Sequence, residues 1–296
     1  MKLATITLFC NEAFRLEAWK KYYEEYRDCI SLHVIVNNGN SVDTPLLRES
    51  FPDSMILESS SPNMMFSYNL ALREILKNPE IDAIGQIVND IRIEKDGLRI
   101  MWDTLFSRND LFAISPVLLN KDSDLIDCFG CAINRKSYKF IHLDNGASLA
   151  SVPKEVRIVD GLPGGIFLAK RSYYERLGFQ DESIYMYADE VDMGIRVAAE
   201  GLKLAATSCV RAWHQHQQRP GASVQRNPMA AFFIGRNSIY IARKYESAIR
   251  VCLVFIYQIF RGVDIWRSAL FHARRDGSFA FGWAWIRGAF KGLSHK

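Results

Sequence analysis

Apolar runs of strand length alternate with amphipathic stretches along the first half of the chain. A continuous apolar run predicts a buried strand, and apolar residues spaced three or four positions apart predict a helix. The predicted strands are 3–9, 32–40, 81–91 and 111–119, and the predicted helices are 15–28, 61–78 and 96–106. This alternation is typical of an α/β protein with a mostly parallel sheet and helices on both faces.

The pattern is less regular from residue 120 to residue 160, where we expect short strands and loops. A glycine-rich turn, a short strand and a helix that ends at Gly178 are expected within 161–183. A helix and a strand are predicted next, at 191–202 and 203–216, and the rest of the chain is predicted to be largely helical. We expect a main domain of residues 1–242 and a helical tail of residues 243–296.

The net charge of +4 is unevenly distributed along the chain. Residues 243–296 contain 10 lysines and arginines against 3 acids, a net of +7, whereas residues 1–242 contain 27 against 30, a net of −3. A basic tail rich in aromatic residues suggests a membrane surface or nucleic acid as partner. Since the rest of the chain offers no basic stripe, we expect no nucleic acid. The apolar run 251–260 is far shorter than the about 18–20 residues of a spanning helix.

The six cysteines give little indication of a shared role. Only Cys128 and Cys131, in CFGC, have the spacing of a metal or redox site, and a zinc ribbon needs a second such pair. We therefore expect reduced thiols without a common function. The apolar segment at the start of the chain is interrupted by an acid, Glu12, and has no small-residue cleavage site. We therefore interpret it as a strand and not as a signal peptide. A cytoplasmic location is the default expectation.

Polar residues follow several predicted strands at their carboxyl ends, where open α/β sheets bind ligands. They are Asn11, Asn37, Asn38 and Asp90. Asp90 suits either a turn or helix cap or a metal ligand. His214 and His216 share one face of a strand. They are either half-exposed strand histidines, a zinc-binding pair, or a single ligand of a Mg²⁺ or Mn²⁺ site.

Three acids, Asp189, Glu190 and Asp192, lie close together at a predicted helix start. Acids in a first turn complement the helix dipole, and Asp192 and Arg196 have the spacing of a stabilising pair. Asp189 or Glu190 could instead be a general base in a partly dry cleft. Gly164 and Gly165 form either a tight turn or a close backbone approach to a ligand.

The order of these motifs resembles glycosyltransferase family 2, which has the GT-A fold, and most of all its bacterial rhamnosyltransferase-like members. The resemblance covers about residues 3–245 and rests on successive motifs: LFCNE, NNGN, NMMFSYN, IVND, GLPGGIFLAKR, GFQDES, DEVD and CVRAWH. The segments RNSIYIARKY and AWIRGAFKGL also resemble the helical tail of those members.

The resemblance implies a role for each matching position. Glu190 takes the place of the catalytic base, with Asp189 as the alternative. Asp90 and His214 would bind a divalent metal, Mg²⁺ or Mn²⁺, with His216 as the alternative histidine. The implied nucleotide-binding residues are Phe9, Asn11, Asn37, Asn38, Asn69, Asn89 and Asp90. The implied acceptor- or sugar-binding residues are Asp160, Gly164, Gly165, Trp213 and His216.

The implied activity is an inverting transfer from a nucleotide-sugar, dTDP-rhamnose or a UDP-sugar such as UDP-galactofuranose, to a hydroxyl of a growing cell-surface glycan of the O-antigen or capsule type. The acceptor would be a glycan or a lipid-linked glycan. The tail would place the enzyme peripherally on the cytoplasmic face of the inner membrane, and self-association through the same helices is the alternative use of the tail.

Two other functions compete with this one. A nucleotidyltransferase usually has a glycine-rich loop after the first strand, and FCNEAFR lacks the glycines. A non-catalytic sugar-nucleotide or glycan-binding protein of the same fold remains an alternative, because IVND keeps only one acid of the family's metal motif and DEVD exchanges the first two acids.

Overall fold

A computed structural model describes residues 1–10, 13–39, 42–215, 227–271 and 278–295. Within these ranges the chain alternates strands and helices in the first half and ends in three helices. The strands are β1 (Leu3–Phe9), β2 (Leu32–Asn38), β3 (Met55–Ser59), β4 (Ala83–Ile87), β5 (Ile91–Ile93), β6 (Leu111–Asn120), β7 (Ile126–Cys128), β8 (Cys131–Asn134), β9 (Lys139–His142), β10 (Val156–Val159), β11 (Ile166–Lys170) and β12 (Lys203–His214). The helices are α1 (Leu16–Tyr26), α2 (Thr44–Ser50), α3 (Met64–Ile75), α4 (Gly97–Phe106), α5 (Arg171–Leu177), α6 (Asp189–Ala199), α7 (Pro228–Tyr245), α8 (Ala248–Phe271) and α9 (Ser278–Ser294).

One large sheet runs in the order β10-β12-β6-β11-β4-β1-β2-β3, and two short strands extend it, with β5 beside β12 and β7 beside β6. The pairs along β4-β1-β2-β3 are parallel, as is the pair β6-β12, whereas β11 is antiparallel to both of its neighbours. The parallel strands put the ends of β4, β1 and β2 at one edge. The predicted α/β fold class is confirmed.

The predicted strands are buried because their apolar runs have no polar face. Every residue of β1 is buried, as is every residue of β4. The predicted helix at 61–78 begins with a side-chain cap. Asn63 is the N-cap of α3, and its Oδ1 accepts hydrogen bonds from the backbone N–H groups of Met65 and Phe66, 3.0 and 3.2 Å away. Gly178 ends α5 with φ +77°, a conformation that glycine adopts without steric cost.

Two features differ from the prediction. The segment 41–60 contains α2 and β3, for which no element was predicted, because β3 lies at the sheet edge with an exposed and half-buried pattern. The run 81–91 forms two strands and not one. The chain turns after β4, and β5 pairs with β12, at a distant position in the sheet. That turn decides where Asp90 lies.

The chain divides into two compact units by its internal contacts. Unit 1 comprises Met1–Ala132, His142–Glu182 and Met193–Gln217, and unit 2 comprises Ile133–Ile141, Ser183–Asp192 and Gln218–Lys296. The expected boundary at residue 243 falls within α7. The division into 1–242 and 243–296 stays a prediction.

Unit 2 is built on three helices that approach one another closely through glycines. A Cβ on Gly288 of α9 would lie 2.0 Å from the backbone oxygen of Phe232 in α7, and a Cβ on Gly235 would lie 2.5 Å from the oxygen of Trp285. Glycine at these positions lets the helix backbones touch. Among the described residues, no helix combines the length and the hydropathy needed to cross a bilayer.

Candidate functional site

The two predicted metal ligands of unit 1 lie side by side. β5 pairs with the end of β12, so that Ile91 faces His214, and the backbone N–H of Gln215 donates to the carbonyl oxygen of Asp90. As a result, Nε2 of His214 lies 3.4 Å from Oδ2 of Asp90. Both side chains are largely buried. A carboxylate and an imidazole nitrogen at this distance form a donor set that suits a divalent metal.

Asp127, which the sequence prediction missed, holds the other side of the histidine. Its Oδ2 lies 3.2 Å from Nδ1 of His214. A carboxylate on the second ring nitrogen fixes the orientation of a metal-binding histidine and leaves Nε2 directed at the metal. The only sign of Asp127 in the sequence is an acid within the short run LIDC. An acid at such a position is by itself more typical of a turn.

Arg15 is the second residue that the prediction missed. Its Nη1 lies 2.8 Å from Oδ2 of Asp90 and 3.3 Å from Oδ1 of Asn89. The guanidinium and Nε2 of His214 therefore approach the same carboxylate oxygen. A metal at Asp90 would have to displace one of these contacts or share the oxygen with it.

The carboxylates favour the protonated form of His214. Burial lowers its pKa, but the hydrogen bonds and charges of Asp127 and Asp90 outweigh burial and raise the pKa to about 9. A histidine must be neutral to bind a metal, so metal binding here releases a proton.

The predicted nucleotide-binding asparagines of β2 are buried and make internal contacts. Asn37 Nδ2 donates to the backbone oxygen of Val42 at 2.7 Å, and Asn37 Oδ1 accepts from the N–H of Val42 at 3.1 Å. Asn38 Oδ1 accepts from the hydroxyl of Ser67 at 3.0 Å. These bonds shape the end of β2, and the contact of either residue with a nucleotide stays a prediction.

Asn69 has a similar structural role in unit 1. Its amide donates to the carbonyl oxygen of Gln180 and to Oε1 of Glu182, and its oxygen accepts from the N–H of Gln180. The asparagine thereby fastens the segment after α5 to α3. Phe9 is fully buried against Trp19, with ring centroids 5.7 Å apart. A nucleotide would therefore meet the backbone of residue 9 and not its ring.

The predicted acceptor-binding residues of unit 1 have varied surroundings. Asp160 is exposed, and its N–H donates to the oxygen of Cys131. The oxygen of Gly165 accepts from the N–H of Val88, next to Asp90, and a Cβ at residue 165 would lie 2.7 Å from Ile91. Gly164 accepts a hydrogen bond from the side chain of Gln86 in β4. The Gly-Gly turn thus packs against β4 and the β4–β5 turn, where residue 165 has no room for a Cβ.

Trp213 is half-buried, and two guanidinium groups face its ring. Those of Arg92 and Arg211 lie 5.7 and 5.6 Å from the centroid. We predicted that Asn11 binds the nucleotide and that His216 binds the acceptor or, as the alternative histidine, the metal. Both residues lie outside the described residues.

The two candidates for the catalytic base, Asp189 and Glu190, belong to unit 2 and lie at the start of α6. Three non-glycine residues just before it have a left-handed backbone: Tyr185, Tyr187 and Ala188, with φ of 67°, 61° and 71°. Such conformations cost about 1–2 kcal/mol per residue. The surroundings must therefore hold the loop, and strain of this kind clusters at functional sites.

Two neighbouring side chains of α7 hold that loop. Asn237 is fully buried, and its Nδ2 donates to the carbonyl oxygens of Ile184, Met186 and Tyr187 at 3.1, 2.8 and 2.6 Å. Arg236 donates to the oxygens of Ser183 and Ile184 at 2.9 and 2.6 Å. The segment RNSIYIARKY, which the resemblance placed in the helical tail, thus fixes the backbone before Asp189.

The environment of Asp189 favours its protonated form. Burial and the neighbouring Glu190 carboxylate raise the pKa of Asp189 well above its usual range. Two adjacent carboxylates hold a proton more readily than isolated ones do. Asp189 therefore holds a proton more readily than an isolated carboxyl group does.

Asp192, the third acid, is almost completely buried. Its Oδ1 accepts hydrogen bonds from Nζ of Lys244 at 2.8 Å and from the hydroxyl of Tyr245 at 2.6 Å. These contacts tie the start of α6 to the end of α7 and give Asp192 a structural role, whereas its predicted pairing with Arg196 stays a prediction.

Comparison with known proteins supports the fold more strongly than the reaction. No family model matches the chain. A stretch of 187 residues is 22% identical to the low-salt glycan biosynthesis hexosyltransferase Agl10 of Haloferax volcanii, and it covers 61% of this chain and 58% of that protein. The match therefore spans less than two thirds of the relative.

Two solved structures share the architecture. GalNAc-T7 with UDP, GalNAc and Mn²⁺ has a TM-score of 0.64 at 11% identity, covering 100% of this chain and 58% of that chain. The mannosyltransferase PcManGT from Pyrobaculum calidifontis, in complex with GDP-Man and Mn²⁺, has a TM-score of 0.58 at 16% identity, covering 99% and 87%. At such identities the likeness shows the fold alone. The predicted GT-A fold is confirmed, and membership of family 2 stays a prediction.

Proposed function

We propose that this protein is a metal-dependent glycosyltransferase that moves a hexose from a nucleotide-sugar to a hydroxyl of a glycan. The observation that carries the proposal is the Asp90–His214–Asp127 group at the strand ends of a GT-A sheet. The hexosyltransferase relative and the two neighbours with bound nucleotides and Mn²⁺ support the same reaction class.

Asp90 and His214 fit a divalent ion, Mg²⁺ or Mn²⁺, because an acid and an imidazole lie 3.4 Å apart and Asp127 orients the ring. When bound, the ion supplies Lewis-acid stabilisation of the diphosphate leaving group. Asp127 accepts the Nδ1–H hydrogen bond throughout, so that Nε2 stays available as a ligand.

Glu190 is the proposed base. It takes the proton from the acceptor hydroxyl while that oxygen bonds to the anomeric carbon and the bond from that carbon to the phosphate oxygen breaks. A single displacement of this kind inverts the anomeric configuration. Burial and the neighbouring Glu190 carboxylate raise the pKa of Asp189, so Asp189 holds a proton more readily than an isolated carboxyl group does, and we assign the role of base to Glu190.

The finer assignment follows the family resemblance. We propose dTDP-rhamnose or a UDP-sugar such as UDP-galactofuranose as donor, and a cell-surface glycan of the O-antigen or capsule type, free or lipid-linked, as acceptor. Screening nucleotide-sugars for transfer and for hydrolysis tests the donor directly. Turnover of none of them, with intact metal and nucleotide binding, would contradict a transferase.

We also propose that α8 and α9 hold the protein peripherally at the cytoplasmic face of the inner membrane. Both helices expose many large apolar side chains in a segment with a net charge of +7. Apolar residues combined with basic ones bind anionic lipid surfaces. Sedimentation with anionic vesicles measures this contact, and self-association is the competing outcome.

The metal claim is tested by titrating Mn²⁺ and UDP or dTDP into the protein by calorimetry. We expect nucleotide binding to tighten with Mn²⁺ in the wild type, and we expect this dependence to be lost in Asp90→Asn. Asp103→Asn, in α4, is a control that leaves Asp90 and His214 intact. Nucleotide binding that is equally tight with and without metal would contradict the assignment.

That outcome would favour the alternative function, a non-catalytic sugar-nucleotide or glycan-binding protein. The contact between Arg15 and Asp90 favours this alternative, because a guanidinium can neutralise Asp90 without a metal. Arg15→Gln then distinguishes the two functions. It should leave Mn²⁺-dependent binding intact in an enzyme and abolish metal-independent binding in a binding protein.

The base assignment is tested with Glu190→Gln. We expect kcat to fall about 10²- to 10⁴-fold, the usual contribution of a general base, with nucleotide affinity unchanged. Glu175→Gln, at an exposed position of α5, is the matched control and should keep wild-type turnover. If Glu190→Gln stays active and Asp189→Asn does not, the base is Asp189.

A further inference from the structure

A second group of side chains that could hold a metal ion lies in unit 1, outside the Asp90–His214 pair. Cys128, Cys131 and His142 each present a ligand atom, and these three atoms all lie within 4.8 Å of one another. The sequence alone indicated unrelated thiols, because CFGC has no partner pair. The histidine that completes the group is 11 positions further along the chain and outside any recognisable spacing.

The backbone brings the three residues together by a tight turn. β7 ends at Cys128, Gly130 has φ +75°, and Cys131 donates to the oxygen of Gly161. Backbone hydrogen bonds then join Phe129 to Leu143 and Leu143 to Gly130, at 3.1 and 3.0 Å. Because Leu143 is fastened to the turn on both sides, His142 is placed next to the two thiols.

The sulfur geometry suits one metal ion. Sγ of Cys128 lies 3.3 Å from Sγ of Cys131, and both cysteines are reduced and fully buried. Two thiolates on a tetrahedral zinc ion, with bonds of about 2.3 Å, are about 3.8 Å apart. The two sulfurs would therefore have to move apart by only about half an ångström to reach this distance, and side-chain rotation is enough for such a change.

His142 is oriented in the way that metal-binding histidines are. Its Nδ1 lies 3.3 Å from the backbone oxygen of Asp127 and 3.8 Å from Oδ1 of the same residue. With Nδ1–H donating to Asp127, Nε2 is the nitrogen that serves as ligand. The ring is half-exposed, so water reaches the fourth coordination position.

We propose that Cys128, Cys131 and His142 bind a zinc ion through two thiolates and one imidazole nitrogen, with water as fourth ligand. On binding, each of the two thiols releases its proton to solvent, as does the His142 ring when it is protonated, and no electron is transferred. Soft thiolate ligands favour zinc over the Mg²⁺ or Mn²⁺ proposed at Asp90. The ion would brace the turn that carries Asp127, whose side chain contacts both His142 and His214.

The test is the zinc content of the full-length protein. The chain is reduced, stripped with a chelator, loaded with Zn²⁺ and passed through gel filtration, and zinc is measured by atomic emission. We expect about one ion per chain in the wild type and less than about a fifth of that in the Cys128→Ser/Cys131→Ser double variant. Asp90→Asn should keep its zinc, which separates this site from the proposed catalytic metal.

The matched control is Cys209→Ser/Cys252→Ser, which removes two exposed thiols and should keep wild-type zinc content. Loading with Co²⁺ adds a readout that does not depend on variants, since thiolate ligands give a charge-transfer absorption. If the double variant fails to fold, this band in the wild type and its change in His142→Ala decide the question. Equal zinc in the double variant, no thiolate–cobalt band, or a Cys128–Cys131 disulfide with no bound zinc would overturn the proposal.

Discussion

Asp127 connects two histidines of unit 1. One carboxylate oxygen lies 3.2 Å from Nδ1 of His214 and the other lies 3.8 Å from Nδ1 of His142. Asp127 raises the pKa of His142 to about 9 through a hydrogen bond that exceeds the opposing effect of burial, and His214 reaches a similar value. In the metal-free protein both rings are therefore protonated at neutral pH.

This coupling makes the stability of the metal-free protein depend on pH. A folded-state pKa of about 9, above the ordinary 6.5, gives His214 a stabilising contribution that is complete below pH 6.5 and is lost as pH rises through 9. Asp127→Asn should lower this pKa and reduce the loss over that interval by about 1–2 kcal/mol.

Urea unfolding at several pH values, with chelator and reductant present, measures this change. Asp144→Asn is the control, because Asp144 pairs with Arg157 and lies in the same region of unit 1. The variants are compared by how steeply the free energy of unfolding changes with pH. Its absolute value is not compared, because Asp127→Asn lowers it in any case. An unchanged slope in Asp127→Asn would show that Asp127 does not control either histidine.

The loop before α6 and the helix α7 form one structural element of unit 2. Because three residues of the loop are left-handed, its carbonyl groups cannot join the hydrogen bonds of a regular helix or strand. The side-chain amide of Asn237 donates hydrogen bonds to these carbonyl oxygens instead. Sequence periodicity gave no sign of it, because Asn237 looks like an ordinary polar position in a helix. The start of α6 is therefore set by a residue about 50 positions away.

Replacing Asn237 tests this arrangement. Asn237→Ala removes the side-chain donor to the carbonyl oxygens of Met186 and Tyr187, whereas Ile184 keeps its hydrogen bond from Arg236. We therefore expect a loss of about 2–3 kcal/mol in the free energy of unfolding. The amides of Val191 and Asp192, which donate to the oxygen of Ala188, should also exchange with solvent faster.

Asn227→Ala is the matched control, since Asn227 caps α7 by accepting a hydrogen bond from the N–H of Met229. It should cost about 1 kcal/mol, as lost caps do, and leave amide exchange at Val191 unchanged. Equal effects of the two variants on that exchange would mean that Asn237 stabilises only its own helix.

At the scale of the whole molecule, the noteworthy surface belongs to α8. Ile249, Ile256, Phe260 and Val263 recur at spacings of three, four or seven positions, which places them on one face of the helix. Ile249 is 77% exposed and Phe260 is 70% exposed. Isolated exposed apolar residues are ordinary, but a continuous row of them is typical of a binding surface.

We expect Ile249→Ser/Phe260→Ser to reduce sedimentation of the full-length protein with anionic vesicles by at least about fivefold, because both the apolar and the electrostatic contributions are needed for peripheral binding. Ile158→Ser, at an exposed position of β10, is the control and should bind as the wild type does. Light scattering of the same samples identifies self-association. A wild type that stays in the supernatant as a dimer, and a double variant that is monomeric, would contradict membrane binding and support the dimer.

The sequence by itself determined the fold class and the longer strands and helices, because hydrophobic periodicity depends on neighbouring residues and survives without tertiary information. It also placed Asp90 at a strand end and Asp189 and Glu190 at a helix start. Only the tertiary structure decided which distant residues meet. The pairing of β5 with β12 brings residue 90 to residue 214, and the turn at Gly130 brings His142 to two cysteines. Such contacts depend on strand register and packing across the chain, which no local pattern encodes.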